Sequence, residues 1–232
     1  MKSCLSMKSC RWCGAVGVLT FLGTLAQAAD QAELVPIDKP PAAISEMIAA
    51  SLNPQGQQVR SGKQSLCTVW LAKELPLKPD FKSTLSVKYP LIPGQLVGVL
   101  EVIAKSDFTD FRGQEVAAGV YTLRYGQQPV DGNHVGTSEL ADFLLAIPAK
   151  LDEDPSLPKT SQALFKLSAK ATGSNHPAIY SLLPPKASEK TPTVIRDTAK
   201  DFLILNLSTS GKSGDQTTVV PLRLIIVGHS EG

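Results

Sequence analysis

Residues Phe108–Pro148 read FTDFRGQEVAAGVYTLRYGQQPVDGNHVGTSELADFLLAIP and carry the clearest strand-turn-strand pattern in the chain. The segment Val120–Tyr125 alternates, so that one face carries two tyrosines and a leucine and the other carries Val120, Thr122 and Arg124. Asp142–Ile147 reads as the next strand. The connection between the two strands is about 16 residues long, and loops of that length commonly have a function.

The rest of the chain continues this pattern of short strands and turns rich in Gly and Pro. Leu96–Ala104 is almost continuously apolar, which indicates a central strand covered on both faces. Only Pro41–Leu52 and Thr160–Ala171 have helical patterns, the second with a capping residue at Thr160 or Ser161 and a stop at Gly173. The sequence therefore predicts an all-β fold, an antiparallel β-sandwich of about eight strands with two short helices.

The N-terminus has the order of a secretory signal peptide. Basic residues precede the apolar run Trp12–Leu25, and the small-x-small sequence Ala26-Gln27-Ala28 follows it. We expect cleavage after Ala28, with Ala29 as the alternative. A membrane anchor is the competing interpretation, but the run is about 14 residues long and a spanning helix needs about 20. The sequence thus predicts a periplasmic or secreted protein with no transmembrane segment after signal cleavage.

Signal removal changes the charge and the cysteine content. It removes three basic residues, so the 23 Lys and Arg fall to 20 against 21 Asp and Glu, and the net charge falls to about −1. A near-neutral chain lacks the basic surface that binds nucleic acid. Of the four cysteines, only Cys67 remains, in an apolar run that predicts an inert buried thiol. Trp70 in the same run is expected in the core.

These observations divide the chain into three parts. Residues 1–28 form the signal peptide, residues 29–64 form an extended leader with a short helix, and residues 65–232 form a single β-sandwich domain. The expected mature length suits one domain with an adequate core.

The long connection holds a compact cluster of polar residues that could form a site. Asp131, His134, Glu139 and Asp142 lie within twelve residues of one another. Carboxylates with an imidazole could hold a divalent metal, or provide a base oriented by an acid. Two other interpretations remain open. The loop could be purely structural, since the pair Asp131-Gly132 is common in turns. Alternatively, it could contact a ligand without catalysing a reaction.

Three further residues are weaker candidates. His176 and His229 could join His134 in space, although nothing in the sequence requires it. Arg124 is either part of a solvated outer face or a cation that lines a carbohydrate or carboxylate pocket. A serine hydrolase is disfavoured, because the sequence has no Gly-x-Ser-x-Gly elbow.

Four short motifs carry a resemblance to known sequences: Phe111-Arg112-Gly113-Gln114, Gly119-x-Tyr121-Thr122-Leu123-Arg124-Tyr125, Gln128-Pro129-x-Asp131-Gly132-x-His134-x-Gly136 and Asp142-Phe143. Over about 40 residues the chain resembles a group of uncharacterised secreted bacterial proteins. The Gly-x-Tyr-Thr-Leu part is widespread in extracellular β-modules, whereas the Asp-Gly-x-His part is more specific to this group. The resemblance implies secretion and a β-fold, and it implies no reaction.

The sequence therefore favours a non-enzymatic binding or structural module of the cell envelope, with an unidentified envelope or extracellular ligand and no cofactor. The alternative is a metal-dependent hydrolase or lyase that uses Asp131, His134 and Asp142. That alternative needs a divalent metal, whereas the first does not.

Overall fold

The computed structural model of the chain describes residues 32–103, 108–128, 141–158 and 160–228. Two α-helices lie in this part of the chain, α1 (Glu46–Ser51) and α2 (Ser161–Thr172), with one 3₁₀ turn at Ala149–Leu151. The same residues form eleven strands: β1 (Ala32–Ile37), β2 (Gly56–Ser61), β3 (Gln64–Leu71), β4 (Glu74–Pro76), β5 (Leu96–Val102), β6 (Gly119–Gln127), β7 (Asp142–Pro148), β8 (Ile179–Leu183), β9 (Thr193–Asp197), β10 (Phe202–Ser213) and β11 (Gln216–Val227).

The strands form one hydrogen-bonded sheet in the order β1-β2-β3-β5-β6-β7-β8-β11-β10-β4, and β9 pairs with β10 beside β4. Neighbouring strands are antiparallel, except that β4 runs parallel to β10. The all-β prediction is confirmed.

The predicted sandwich of about eight strands is wrong. β8 joins what would be two sheets, since it pairs with β7 through Ile179 and with β11 through Leu183. β1, at one end of the strand order, then contacts β9, which pairs with β10 beside β4. One apolar core collects side chains from both halves, such as Leu123 of β6 and Leu205 of β10. The sheet thus folds back over its own apolar face instead of pairing with a second sheet.

The N-terminal segment also differs from its expected role as a leader before the sheet. β1 and β2 pair with each other from Ala32 opposite Ser61 to Ile37 opposite Gly56, and β2 continues the sheet into β3. Residues 32–64 are therefore part of the sheet domain, and the expected boundary at residue 65 does not separate two structural units.

Strands β5 and β7 are covered on both faces, as expected for β5 from its apolar sequence. Beyond the main core, α1 packs over β5 through Ile48, Trp70 and Val99. Helix α2 packs over β7 through Leu164, against Leu145 of that strand. Helix α2 thus helps to hold β7 in place, and the first residue of β7 is the candidate Asp142.

Both predicted helices are present with shifted boundaries. The Ser45 side chain accepts a hydrogen bond from the Ile48 N–H, so α1 begins at Glu46 and not at Pro41. Thr160 caps α2 in the same way, and Gly173 ends it in the left-handed conformation at φ 65°. The predicted stop at Gly173 is confirmed.

Several predictions about single residues can be compared with the structure. Cys67 is a buried free thiol, and burial raises its pKa above the ordinary value, as expected for an inert cysteine. Trp70 lies in the core. Among the residues that the structure describes, no helix has the length and apolar character needed to cross a membrane. The predicted signal peptide lies outside the described residues.

Candidate functional site

The predicted polar cluster is only partly covered by the structure. Asp131, His134 and Glu139 lie outside the described residues, as does His229. His176 is exposed in the turn after α2. In the described ranges, no group of three or more His, Cys, Asp or Glu side chains is arranged to hold a metal ion.

Asp142, the first residue of β7, is described and is 1% exposed. One carboxylate oxygen accepts a hydrogen bond from the Tyr125 hydroxyl, and the other accepts from the Lys88 backbone N–H. The Gln127 amide donates to the same hydroxyl at 2.9 Å. Asp142 therefore ties the segment before Tyr89 to the start of β7.

Burial determines the direction of the pKa shifts of Asp142 and Tyr125. Burial raises the pKa of the Asp142 carboxyl, and the hydrogen bonds from Tyr125, Lys88 and Tyr89 offset part of that effect. Burial and the neighbouring carboxylate likewise raise the pKa of Tyr125. Each oxygen of Asp142 accepts a hydrogen bond from within the fold, which accounts for this carboxyl as a structural group.

Arg124 lies in the middle of β6 and is 1% exposed, so the outer-face interpretation of this residue is wrong. Its Nε and Nη2 donate to the two carboxylate oxygens of Asp152, at 2.7 and 2.8 Å. The Thr122 hydroxyl, on the same face of β6, donates to Asp152 as well. Arg124 and Asp142 lie on opposite faces of the sheet. Asp142 bonds Tyr125, which follows Arg124 in β6, and consecutive residues of a strand point to opposite faces.

The remaining donors of Arg124 bind backbone carbonyls. Nη1 donates to Gly94 at 2.8 Å and to Ser156 at 2.9 Å, and Nη2 donates to Asp154. A guanidinium has five N–H groups, and all five are used here. Arg124 therefore has no N–H left for a ligand, and it is not the pocket cation that the sequence suggested. Its role is to hold the loop after the 3₁₀ turn against the Gly94 turn, and we call this arrangement the Arg124 clamp.

A cleft of about 290 Å³ opens beside the Arg124 clamp, and we call it the clamp cleft. It lies between the end of α1, the link from β3 to β4, the start of β5 and the 155–157 loop. Its apolar walls consist of Ala72, Pro76, Leu96, Pro155 and Leu157. Its polar lining consists of Ser51, Glu74, Gln95 and Ser156.

The walls of the clamp cleft are held by bonds to neighbouring elements. The Lys73 N–H donates to the Ser51 carbonyl at 2.9 Å, which joins the end of α1 to the β3–β4 link. The Thr209 hydroxyl of β10 donates to the Ala72 carbonyl. Ser156 is held by the Arg124 clamp. The cleft is therefore formed by residues with fixed backbones, which is the usual property of a binding site.

Gln95 is the least satisfied polar residue of the clamp cleft. It is 2% exposed, and its Oε1 accepts a hydrogen bond from the Ile92 N–H at 2.8 Å. Among the described residues, its Nε2 has no hydrogen-bond partner. A buried amide donor without a partner costs free energy. This nitrogen is itself sealed from solvent, so a ligand in the cleft could reach it only after the Gln95 side chain had moved.

The interior of the sheet offers little room for a ligand. The void there measures about 10 Å³, and it is lined by core residues such as Leu123, Leu144 and Leu222. That volume is at the lower limit for a single water molecule. A ligand would therefore bind at the surface of this part of the chain.

Sequence reasoning missed both Asp152 and Gln95. The signal for Asp152 would have been Arg124 itself, because an arginine in a strand as apolar as β6 requires a carboxylate partner if it is buried. Nothing in the sequence around Gln95 distinguishes it from the other turn residues. Its special position arises only when the 155–157 loop folds over the start of β5.

Comparison of the chain with protein-family models, with known proteins and with solved structures finds no match. The resemblance of residues 111–143 to secreted bacterial proteins therefore stays a prediction, and the function has to be inferred from the geometry of the described residues.

Proposed function

We propose that the chain is an exported, non-enzymatic binding module of the bacterial envelope and that the clamp cleft is its binding surface. One observation carries this proposal: a concave surface is built next to a fully bonded buried arginine, which donates to the Ser156 carbonyl in one of its walls. Ligand sites combine such fixed apolar walls with a few polar groups that orient the ligand.

The polar lining of the clamp cleft supports binding over catalysis. Glu74 offers an exposed carboxylate, whereas the Gln95 amide nitrogen is sealed from solvent. The Ser51 hydroxyl donates to the Ile48 carbonyl at 2.7 Å within α1, so no base activates it in the described structure. The Ser156 side chain does bond the Asp154 carboxylate, but the hydrogen bonds from the Ser156 N–H and side chain lower the pKa of Asp154 and make it a weak general base. These groups can therefore orient a ligand more readily than they can activate a nucleophile.

The alternative of a metal-dependent hydrolase or lyase draws less support from the one candidate ligand that the structure describes. Asp142 is buried, and its two oxygens accept hydrogen bonds from the Tyr125 hydroxyl and the Lys88 N–H within the fold. Its surroundings account for its presence as a structural residue. The proposal of a binding module therefore fits the described residues better.

Chemical-shift mapping tests the proposed function. Spectra of ¹⁵N-labelled protein would be recorded with separate mixtures of neutral amides, sugars, carboxylates and amines. We expect at least one mixture to shift the amide signals of Ala72, Glu74, Leu96 and Leu157 more than those of the rest of the chain. Shifts that fall elsewhere for every mixture, or hydrolysis of ester or phosphate substrates that requires added Zn²⁺, would contradict the proposal.

A further inference from the structure

We infer that the open edge of β11 pairs in antiparallel fashion with the same edge of a second copy of this chain, so that the sheet continues across a twofold axis. The edge consists of the outward backbone groups of residues 217–221, and we call it the β11 edge. This inference goes beyond the proposed function, because it assigns a partner to a surface other than the clamp cleft.

Strand β11 is paired along only one of its two edges near its start. β10 pairs with it from Gln216 to Arg223 and beyond, whereas β8 pairs only with Arg223 and Leu224. No strand of the described residues pairs with the other edge of residues 216–222. Residues 216–219 are exposed, and the Val219 side chain lies 70% in solvent. A row of backbone groups without strand partners is the usual template for pairing with another chain.

Two contacts show which backbone groups of β11 face outward. Residues that lie opposite each other in antiparallel strands either bond each other or both point away, and the two arrangements alternate. The Lys212 carbonyl points away from β11, since it accepts from the Leu77 N–H at 2.8 Å, and Thr217 lies opposite Lys212. The Arg223 N–H points away from β10, since it donates to the Tyr89 hydroxyl at 3.2 Å.

The residues between these two positions follow the same alternation, because the register of β10 and β11 is regular there. The N–H and C=O groups of Thr217 and Val219, and the C=O of Pro221, therefore face the open edge. Pro221 agrees with this direction, since it has no N–H and stands where β10 requires none. Within the described ranges, the outward groups of Thr217 and Val219 have no hydrogen-bond partner.

A twofold axis through Thr218 makes the β11 edge complementary to itself. Thr217 then lies opposite Val219 of the partner subunit, and each donates its N–H to the carbonyl of the other. Symmetry repeats this pair, which gives about four backbone hydrogen bonds and uses both outward residues of each copy. The missing N–H of Pro221 is not needed in this register.

The side chains of this segment also favour a second copy. Residues 216–222 read QTTVVPL and contain no charged side chain, so the axis brings no like charges together. Thr217 and Val219 are β-branched, the type that packs well across neighbouring strands. Natural sheets usually protect an open edge with charged side chains, and this segment has none.

The short edge makes the association weak. It buries much less than the roughly 800 Å² per partner of a standard interface, so we expect a Kd of about 1 mM between free chains. Covalent trapping detects such a dimer. The register places the two copies of Thr218 opposite each other as a non-hydrogen-bonded pair, with Cα atoms about 4.5 Å apart, and that distance permits a disulfide.

Disulfide trapping of Thr218→Cys tests the inference, in a full chain that also carries Cys4→Ser, Cys10→Ser and Cys13→Ser. The remaining Cys67 is buried and does not compete. We expect a glutathione redox mixture to convert this protein into a disulfide-linked dimer. The matched control is Gln216→Cys, which is exposed on the same strand but lies about 14 Å from its copy in this register. It should form the dimer at least tenfold more slowly.

A second change in the Thr218→Cys chain tests the outward N–H. Val219→Pro removes a donor that β10 does not use, so the circular dichroism spectrum and the urea midpoint should stay close to those of the parent. We expect trapping to become at least tenfold slower. Val219→Lys places a charge on the edge without restricting the backbone, and it should slow trapping as well.

Three results would overturn the inference. They are the absence of a dimer from Thr218→Cys, equally fast trapping of Gln216→Cys, and unchanged trapping in a folded Val219→Pro or Val219→Lys chain. If no dimer forms but the Thr218→Cys chain captures the peptide acetyl-TVCVT-amide faster than it captures cysteine, the edge binds a different strand and the second copy is ruled out. The test of the clamp cleft is independent of all these results.

Discussion

Arg124 shows how burial decides the role of a charged side chain. Its position in β6 is opposite the tyrosine face, which in a half-exposed strand would be solvated. The loop that contains Asp152 covers this face instead, and a buried guanidinium must then be paired and fully hydrogen-bonded. Sequence patterns located the strand correctly, but the burial of its second face depends on a loop that is distant along the chain.

Asp152→Asn tests the Arg124 clamp. The change leaves a buried arginine without its counter-charge, so we expect a loss of about 3 kcal/mol in the free energy of unfolding, measured in urea. Glu33→Gln is the matched control, because Glu33 pairs with Arg60 at 3.4 Å at the surface and should contribute about 0.5 kcal/mol. Equal small losses for both variants would show that the clamp does not hold the fold.

Asp142→Asn tests the buried carboxyl through its pH dependence. Because the pKa of Asp142 is raised on folding, its contribution to stability is present below the ordinary value of 3.8 and is lost as the pH rises through the raised pKa. The asparagine side chain has one acceptor oxygen for two donors, the Tyr125 hydroxyl and the Lys88 N–H. We therefore expect the variant to lose about 2 kcal/mol in the free energy of unfolding.

The pH dependence separates this effect from a simple loss of packing. We expect the unmodified protein to be more stable than Asp142→Asn by a larger margin at about pH 4 than at about pH 7. The contributions of the other carboxyl groups are the same in both proteins, so they cancel in the difference. Urea unfolding at both values provides the measurement. An advantage that grows with pH would instead mean that the folded state favours the charged form of Asp142.

At the scale of elements, strongly apolar segments were predicted well and short polar ones were missed. β5 and β7 are almost continuously apolar and α2 has a clear helical pattern, and all three are present close to their predicted bounds. β1 contains Pro36, β4 has three residues and β9 includes the charged residues Arg196 and Asp197. Such strands are formed by hydrogen bonds to a neighbour more than by their own side chains, so their sequences carry little signal.

The close approach of β3 and β5 provides a test at this scale. A Cβ atom on Gly98 would lie 2.2 Å from the Trp70 carbonyl oxygen, so Gly98→Ala requires the backbone of β3 or β5 to move. We expect a loss of about 2 kcal/mol or more in unfolding free energy.

Gly214→Ala is the comparison for Gly98→Ala. Gly214 has φ 57° and open space around it, so the alanine there strains the backbone alone and should cost about 1 kcal/mol. Both values come from urea unfolding. If Gly98→Ala costs less than Gly214→Ala, the two strands are farther apart than described.

At the scale of the whole molecule, a single wrapped sheet and a sandwich have the same local sequence patterns. Both alternate apolar and polar residues, and both contain Gly- and Pro-rich turns. The difference lies in β8, which pairs on both sides, and that pairing joins residues far apart in sequence. The candidate cluster could be placed only in part for a different reason, since three of its four residues lie outside the described ranges.

Hydrogen exchange tests the continuity of the sheet. We expect the slowest amides in β5, β6 and β7, which are central and covered on both faces. The amides of β1 that bond to β2 should also be protected, although less, because β1 lies at the end of the strand order. Exchange throughout residues 32–61 at the rate of an unstructured chain would instead support the extended leader that the sequence predicted.

The most direct test of the account is to locate, by intermolecular nuclear Overhauser effects with methyl-labelled leucines, the ligand that shifts amide signals in the mapping experiment. We expect contacts from the ligand to the methyl groups of Leu96 and Leu157, which place it in the clamp cleft. Contacts to Leu85 instead, or binding with no contact to either cleft leucine, would contradict the claim that this cleft is the binding site.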